Sequence, residues 1–178
     1  MRLLINPGHA PRGVPDPGAV GVDGTPEWAV AAAIGEAAAQ ACRDVTVCGV
    51  LQSDSLAEIV RTAIEFGADR FLSVHANAAA DSRAVGAEIY VHPAASEAAR
   101  DWANRIARAA VAAGVSWRDP MPPSRAGARY KEADFYVLRA TPMPAVLLET
   151  GFLTNPAECR WLRTEGAAVW ARIIRAAW

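Results

Sequence analysis

The sequence contains few cysteines, few histidines and no excess of charge of either sign. Its 178 residues include three cysteines and three histidines, and 18 basic residues are balanced by 19 acidic ones. This balance excludes the basic surface typical of proteins that bind nucleic acid, so we expect no partner of that class. The three cysteines are odd in number and match no zinc-finger or redox spacing. We therefore expect no disulfide framework, and we expect the cysteines in the core.

Long apolar runs are also absent. The run Leu3–Ile5 is too short for a signal peptide, and no stretch is long enough to span a bilayer. We therefore expect synthesis in the cytoplasm and no membrane association. Delivery to an external target would depend on something other than a leader, or on a leader that this sequence does not include. Hydrophobic residues make up 52% of the chain, which predicts a single domain over residues 1–178 with one core. A monomer is the favoured oligomeric state.

Short apolar runs alternate with helical patterns along the chain. The predicted strands are Arg2–Ile5, Val45–Val50, Arg70–Val74, Val85–Val91, Phe135–Leu138 and Ala145–Leu148. The predicted helices lie between a capping residue and a stop signal, at about 25–42, 55–67, 96–114 and 155–178. The twenty residues after Ile5 and the segment 117–131 are rich in Pro and Gly and are predicted loops. This alternation predicts an α/β three-layer sandwich with a mostly parallel central sheet of about six strands flanked by helices.

Three predicted strands lead into side chains that can bind a metal or move a proton. His9 follows the first strand, His75 follows the third, and Glu149 follows the last. The carboxyl ends of parallel strands meet at one edge of a sheet, so we expect these side chains to lie together. Simpler roles are open for each of them. A lone histidine is more often a packed or surface residue, and a salt bridge with an arginine would also explain Glu149.

Glu27 is a further candidate, because it lies in the first turn of the first helix and borders the same loop as His9. The helix dipole also favours an acid at that position without any functional site. Two histidines and one glutamate would give Zn²⁺ three protein ligands and leave a position for water, as in catalytic zinc sites. A further glutamate that is not a ligand could then remove a proton from that water. These residues together would suit amide hydrolysis.

Longer motifs make the prediction more specific. In chain order they are Asn6-Pro7-Gly8-His9, Asp16-Pro17-Gly18-Ala19, Glu27, the segment 73–78 and the segment 135–155. The succession resembles the zinc-dependent N-acetylmuramoyl-L-alanine amidases of the amidase-3 family. The resemblance implies that His9, Glu27 and His75 bind one Zn²⁺ per chain and that Glu149 is the catalytic acid and base. It also implies a peptidoglycan hydrolase that uses zinc-activated water to cleave the amide between N-acetylmuramic acid and the L-alanine of the stem peptide.

Asn77 and Arg139 are the candidate substrate contacts. Asn77 could orient His75 or the substrate, or it could simply cap a turn. Arg139 could meet a carboxylate of the stem peptide, although a salt bridge within the protein is an equal alternative. The remaining histidine, His92, is predicted at the surface. Asn6 stands where the family often has aspartate, so the first ligand is expected to have a neutral neighbour in place of a charged partner.

Asn77 and Val85 are too close in sequence for the long helical insert that blocks the site in some members of the family, so an open site is expected. With no leader, the resemblance points to an endolysin, or to an autolysin without its other modules. Two alternatives to the amidase are carried forward. One is a zinc peptidase that cuts within the stem peptide, and the other is a non-catalytic homologue that only binds the cell wall.

Overall fold

A single twisted sheet forms the centre of the computed structural model, which describes residues 1–118 and 129–178. Its strands are β1 (Arg2–Pro7), β2 (Val47–Val50), β3 (Arg70–Asn77), β4 (Glu88–Val91), β5 (Lys131–Glu132) and β6 (Ala145–Phe152). They lie in the order β2-β1-β3-β6-β4-β5. Within the described residues β4 and β6 are antiparallel, and the other neighbouring pairs are parallel. The predicted mostly parallel sheet is therefore confirmed.

Helices cover both faces of this sheet. They are α1 (Glu27–Cys42), α2 (Leu56–Glu65), α3 (Glu97–Ala112), α4 (Tyr136–Ala140), α5 (Pro156–Trp161) and α6 (Ala167–Ala176), and a π-helical turn over Leu162–Gly166 joins the last two. Alternate residues of the strands face opposite layers, as strand geometry requires. Leu3 and Ile5 pack with α1, α3 and α6, whereas Leu4 packs with α2 and α4. These packing layers confirm the three-layer sandwich.

The predicted strand at Phe135–Leu138 is wrong, because this segment enters the helix α4. Phe135 has an extended backbone and caps the helix, and the Thr141 hydroxyl donates to the carbonyl of Val137 at its end. Val137 and Leu138 are buried in the smaller core. A short apolar run of this kind fits a buried helix as well as a buried strand, so its sequence pattern could not decide between them. The place of the missing strand is taken by β5.

Three strands continue further than predicted, and the first of them, β1, ends at Pro7 and not at Ile5. β3 extends through Asn77 and β6 through Phe152, so His75 and Glu149 lie within strands and not just beyond them. The strand expected from Val85 is limited to β4, and the strand expected from Val45 begins at Val47. Of the loop predicted over 117–131, residues 119–128 lie outside the described part of the chain.

The cysteines and the apolar side chains of the last helix lie in or against the hydrophobic core. Cys42 and Cys159 are buried, as predicted, and Cys48 on the edge strand β2 is half-buried against the same core. On the last helix, Trp170 is fully buried and packs in this core. Across the described ranges, no helix combines the length and apolar character that crossing a membrane demands.

Candidate metal centre

His9 lies two residues after the end of β1, in a backbone conformation with positive φ. Its φ is 66°, in the left-handed region that few residues other than glycine adopt. The preceding residue, Gly8, donates its backbone N–H to the Val74 carbonyl on β3 at 2.8 Å. A Cβ on Gly8 would lie 2.2 Å from Cε1 of His75, so only glycine allows the two histidine segments to come this close. The His9 and His75 rings meet edge to face, with centroids 5.2 Å apart.

Glu27, the first residue of α1, lies between the two histidines. Its Oε2 is 2.9 Å from Nε2 of His9, and its Oε1 is 2.9 Å from Nδ1 of His75. The backbone N–H groups of Ala19 and Ala76 donate to the same carboxylate at 2.8 and 3.0 Å. The residue is only 5% exposed, so a buried charge is held in place by four polar partners.

The electrostatics of this cluster follow from the shared carboxylate. Burial alone would raise the pKa of Glu27, but hydrogen bonds with His75 and His9 hold that pKa well below its usual range. Hydrogen bonding to Glu27, and then to Asp16, raises the pKa of His9 to about 9 despite partial burial. In the metal-free protein the carboxylate is therefore ionised and pairs with a protonated His9.

The donor set fits a zinc ion. One ligand atom from each of His9, Glu27 and His75 can be chosen so that all lie within 4.8 Å of one another. Two imidazole nitrogens and a carboxylate oxygen are ligands that zinc accepts at catalytic sites. The space beside them is kept free by Gly18, where a Cβ would lie 2.5 Å from Cδ2 of His9 and 2.6 Å from Oε2 of Glu27. A zinc ion bound here would replace the proton between Nε2 of His9 and Glu27.

Glu149 lies next to this cluster on the sheet. It is the register partner of His75 in the parallel pair of β3 and β6, so both side chains leave the same face. Its Oε2 is buried and has no hydrogen-bond partner within the described part of the chain. Burial raises the pKa of Glu149 to about 7, and the nearby Glu27 and Glu88 carboxylates act in the same direction. A carboxyl group in this state can both take up and release a proton near neutral pH.

A cleft of about 490 Å³ opens onto the cluster and Glu149. Its wall includes Leu56 at the start of α2 and Phe135 and Tyr136 at the start of α4. These three side chains are 39 to 51% exposed, so part of the cleft wall is an exposed apolar surface. The segment from residue 78 to residue 87, which joins β3 to β4, contains no helix that could cover the cleft. Its volume makes the cleft large enough for part of a substrate.

The two predicted substrate contacts lie in different places. Asn77 lines the cleft, and its Nδ2 donates to Oε2 of Glu88 at 2.9 Å. Arg139 lies on α4, lines a separate cavity and forms an ion pair with Asp134. His92 lines that second cavity too and is partly exposed, with its Nε2 3.3 Å from Asp134. Of the two contacts, the structure therefore brings only Asn77 to the cluster.

Two acidic residues near the site were given no role from the sequence. Asp16 accepts a hydrogen bond from Nδ1 of His9 at 2.7 Å. Glu88, 3% exposed, is the register partner of Glu149 across β4 and β6 and pairs with Lys131. Asp16 belongs to a motif that was recognised, whereas Glu88 lies in a run with ordinary strand alternation. Of the two residues, only Asp16 could therefore have been identified from the sequence as part of the site.

The sequence of this chain matches a known protein family. Residues 3–176 match the Amidase_3 family, described as N-acetylmuramoyl-L-alanine amidase. The chain is 29% identical over 170 residues to the sporulation-specific N-acetylmuramoyl-L-alanine amidase of Bacillus subtilis. That alignment covers 92% of this chain and 61% of the relative, so the chain spans less than two thirds of the relative's length.

Solved structures of the same family superpose over nearly the whole chain. The catalytic domain of CwlV, an N-acetylmuramoyl-L-alanine amidase from Paenibacillus polymyxa, aligns with a TM-score of 0.80 at 28% identity, covering 99% of this chain and 94% of that one. An N-acetylmuramoyl-L-alanine amidase from Clostridium difficile aligns with a TM-score of 0.84 at 26% identity, covering 99% and 93%. The family match extends over nearly all of the sequence, and the chain therefore belongs to the N-acetylmuramoyl-L-alanine amidase family Amidase_3.

Proposed function

We propose that this chain is a zinc-dependent N-acetylmuramoyl-L-alanine amidase. Its substrate would be the peptidoglycan amide that joins the lactyl group of N-acetylmuramic acid to the L-alanine of the stem peptide. The observation that carries the proposal is the cluster of His9, Glu27 and His75 with the buried carboxyl of Glu149 beside it. Membership of the family supports the same reaction.

Three side chains would hold the ion. His9 offers Nε2, His75 offers Nδ1 and Glu27 offers a carboxylate oxygen, since these are the atoms that face one another. When bound, Zn²⁺ supplies Lewis-acid chemistry, because it makes water more acidic and polarises a carbonyl. Glu27 is fixed by backbone N–H groups as well as by the histidines, so the ligand set is largely preorganised.

Glu149 would carry the proton through the reaction. Its unpartnered Oε2 accepts a proton from the attacking water, and the same carboxyl then donates that proton to the departing amine of alanine. A pKa of about 7 suits both steps, because the group is neither a strong acid nor fully protonated at neutral pH. No bond to the protein is formed, so hydrolysis returns Glu149 to its starting state.

The cleft would bind the substrate on both sides of the scissile amide. Asn77 is the proposed polar contact, since it lines the cleft near the cluster. Arg139 is not retained in this role because its guanidinium pairs with Asp134 and lines another cavity. We further propose that residues 1–178 form one catalytic domain that acts as a monomer on the cell wall, in the manner of an endolysin or autolysin.

The test combines metal analysis with identification of the products. Purified protein is loaded with Zn²⁺, dialysed, and assayed for bound zinc by mass spectrometry. It is then incubated with purified peptidoglycan, and the soluble products are separated and sequenced by tandem mass spectrometry. The proposal predicts about one zinc per chain and free stem peptides that begin with L-alanine.

Other products would contradict the proposal in different ways. Cuts inside the stem peptide would identify a zinc peptidase. Binding to peptidoglycan without any released peptide would identify a non-catalytic homologue. Release of stem peptides that continues after complete removal of zinc by a chelator would contradict the role of the metal while leaving the amidase activity in place.

A further inference from the structure

Asp16 contacts the first histidine of the cluster from the side away from Glu27. Its Oδ2 is 2.7 Å from Nδ1 of His9, while its Oδ1 accepts the backbone N–H of Gly18 at 2.9 Å. Its backbone carbonyl accepts the N–H of Ala10 at 3.0 Å. Asp16 is therefore fixed by its own loop, and that loop closes back on the residue that follows His9.

This contact determines which nitrogen of His9 is available. An ionised carboxylate can only accept hydrogen bonds, so Nδ1 of His9 must carry a proton and donate it to Asp16. Nε2, which lies 2.9 Å from Oε2 of Glu27, is then the nitrogen left for a metal. A carboxylate behind a histidine ligand fixes the orientation of the ring and makes the other nitrogen a better donor.

The neighbour expected from the sequence does not make this contact. Nδ2 of Asn6 donates to the carbonyls of Leu51 and Pro7 at 3.0 and 3.1 Å, and its Oδ1 accepts from the Ser73 hydroxyl at 3.0 Å. Asn6 is 2% exposed, and its partners are Pro7 in β1, Ser73 in β3 and Leu51 just after β2. The amide at this position therefore joins β1 to its neighbours, and it is not a weakened replacement for a charged partner of His9.

We propose that Asp16 is the positioning residue of the metal centre. It holds the ring of the strained His9 in the orientation and tautomer that direct Nε2 to the ion. The inference rests on the proposed zinc site and adds a residue to it that does not touch the metal. Loss of a carboxylate of this kind typically weakens metal binding about 10–100-fold.

The experiment measures zinc affinity, so it does not depend on catalysis. Asp16→Asn removes the charge but keeps an oxygen that can accept the Gly18 N–H, and so it preserves the loop. Asp54→Asn is the matched control, because Asp54 is exposed and lines the same cleft without contacting His9. Zinc dissociation constants are measured by competition with a chelating dye. The tautomer of His9 is read from ¹⁵N chemical shifts of the zinc-loaded proteins, because His9 is protonated in the metal-free state.

The expected result is zinc binding weakened about 10–100-fold in Asp16→Asn and unchanged in Asp54→Asn. The thermal midpoint of metal-free Asp16→Asn should stay close to that of the parent, while the His9 Nδ1 signal of the zinc-loaded variant shifts. If Asp16→Asn binds zinc within about twofold of the parent's affinity, the loss is well below the expected value of about 10–100-fold. That result would overturn the role of Asp16 and leave the proposed function in place. A parent protein that binds no zinc would instead overturn the proposed function, and the role of Asp16 with it.

Discussion

Glu149 and His75 are direct neighbours across β6 and β3, and their side chains leave the same face of the sheet. A candidate ligand and a candidate proton carrier are thus placed together by strand register, which a shift of one residue would destroy. His75 also contacts Glu27 through Nδ1 at 2.9 Å, whereas Glu149 has an unpartnered Oε2 within the described residues. The two residues should therefore respond differently to mutation.

Replacing Glu149 by glutamine should abolish hydrolysis while zinc binding is retained. The amide has nearly the same shape but cannot take up a proton, and loss of a general acid and base costs about 10²–10⁴-fold in rate. Release of stem peptides and bound zinc are measured on the same preparation. Glu36→Gln serves as the control, since Glu36 is an exposed residue of α1. Cleavage by Glu149→Gln at the parent's rate would remove Glu149 from the catalytic role.

Replacing His75 by alanine should remove zinc as well as activity. This side chain is one of three candidate ligands, so its loss should weaken zinc binding beyond the about 10–100-fold typical of groups behind the ligands. His92→Ala is the matched control, because His92 is partly exposed and pairs with Asp134 on the other cavity. Stoichiometric zinc retained by His75→Ala after dialysis would exclude this histidine from the ligand set.

Replacing Gly18 by alanine should damage the metal centre more than the fold. Gly18 has a φ of 70°, and a Cβ there would come within 2.6 Å of Oε2 of Glu27. Gly24→Ala is a close control, because Gly24 has a φ of 85° in the same loop and nothing within 4 Å of its Cβ position. Both changes carry the left-handed backbone penalty of about 1–2 kcal/mol. Only Gly18→Ala should lose zinc affinity. Equal zinc affinity in the two variants would contradict the claim that Gly18 keeps the space beside the ligands free.

The stability of the metal-free protein should depend on pH through Glu149. Its pKa is raised to about 7 in the folded state, so folding favours the protonated form. The stabilisation from this proton is complete below the unfolded value near 4.5 and is lost as the pH rises through 7. Since one pKa unit corresponds to about 1.4 kcal/mol, the effect reaches about 3 kcal/mol.

Glutamine at position 149 mimics the protonated acid at every pH. With a chelator present, Glu149→Gln and the parent should unfold at similar denaturant concentrations at pH 5, and the variant should be more stable at pH 8. Chemical denaturation at both pH values gives the two differences in unfolding free energy. A difference that does not change between pH 5 and pH 8 would contradict the raised pKa of Glu149.

The sequence by itself determined the layered α/β architecture and named the residues of the candidate site. The apolar runs and helix caps are local signals, and the motifs around His9, His75 and Glu149 identify a family whose members share the fold. Those signals are weakest where a segment is short. The run at Phe135–Leu138 is one such segment, and its packing against α2 and β6 makes it part of a helix and not a strand.

Only the tertiary structure decided how the site is supported. Asp16 meets His9 because the loop between them folds back on itself. Glu27 reaches both histidines because it is the first residue of α1, which packs against β1 and β3. Asn6, which the sequence suggested as a neutral neighbour of His9, uses its amide to join strands instead. Hydrogen bonds between distant positions depend on where the backbone runs, and no local pattern records that path. The sequence therefore identified the candidate ligands, and the fold determined what holds them.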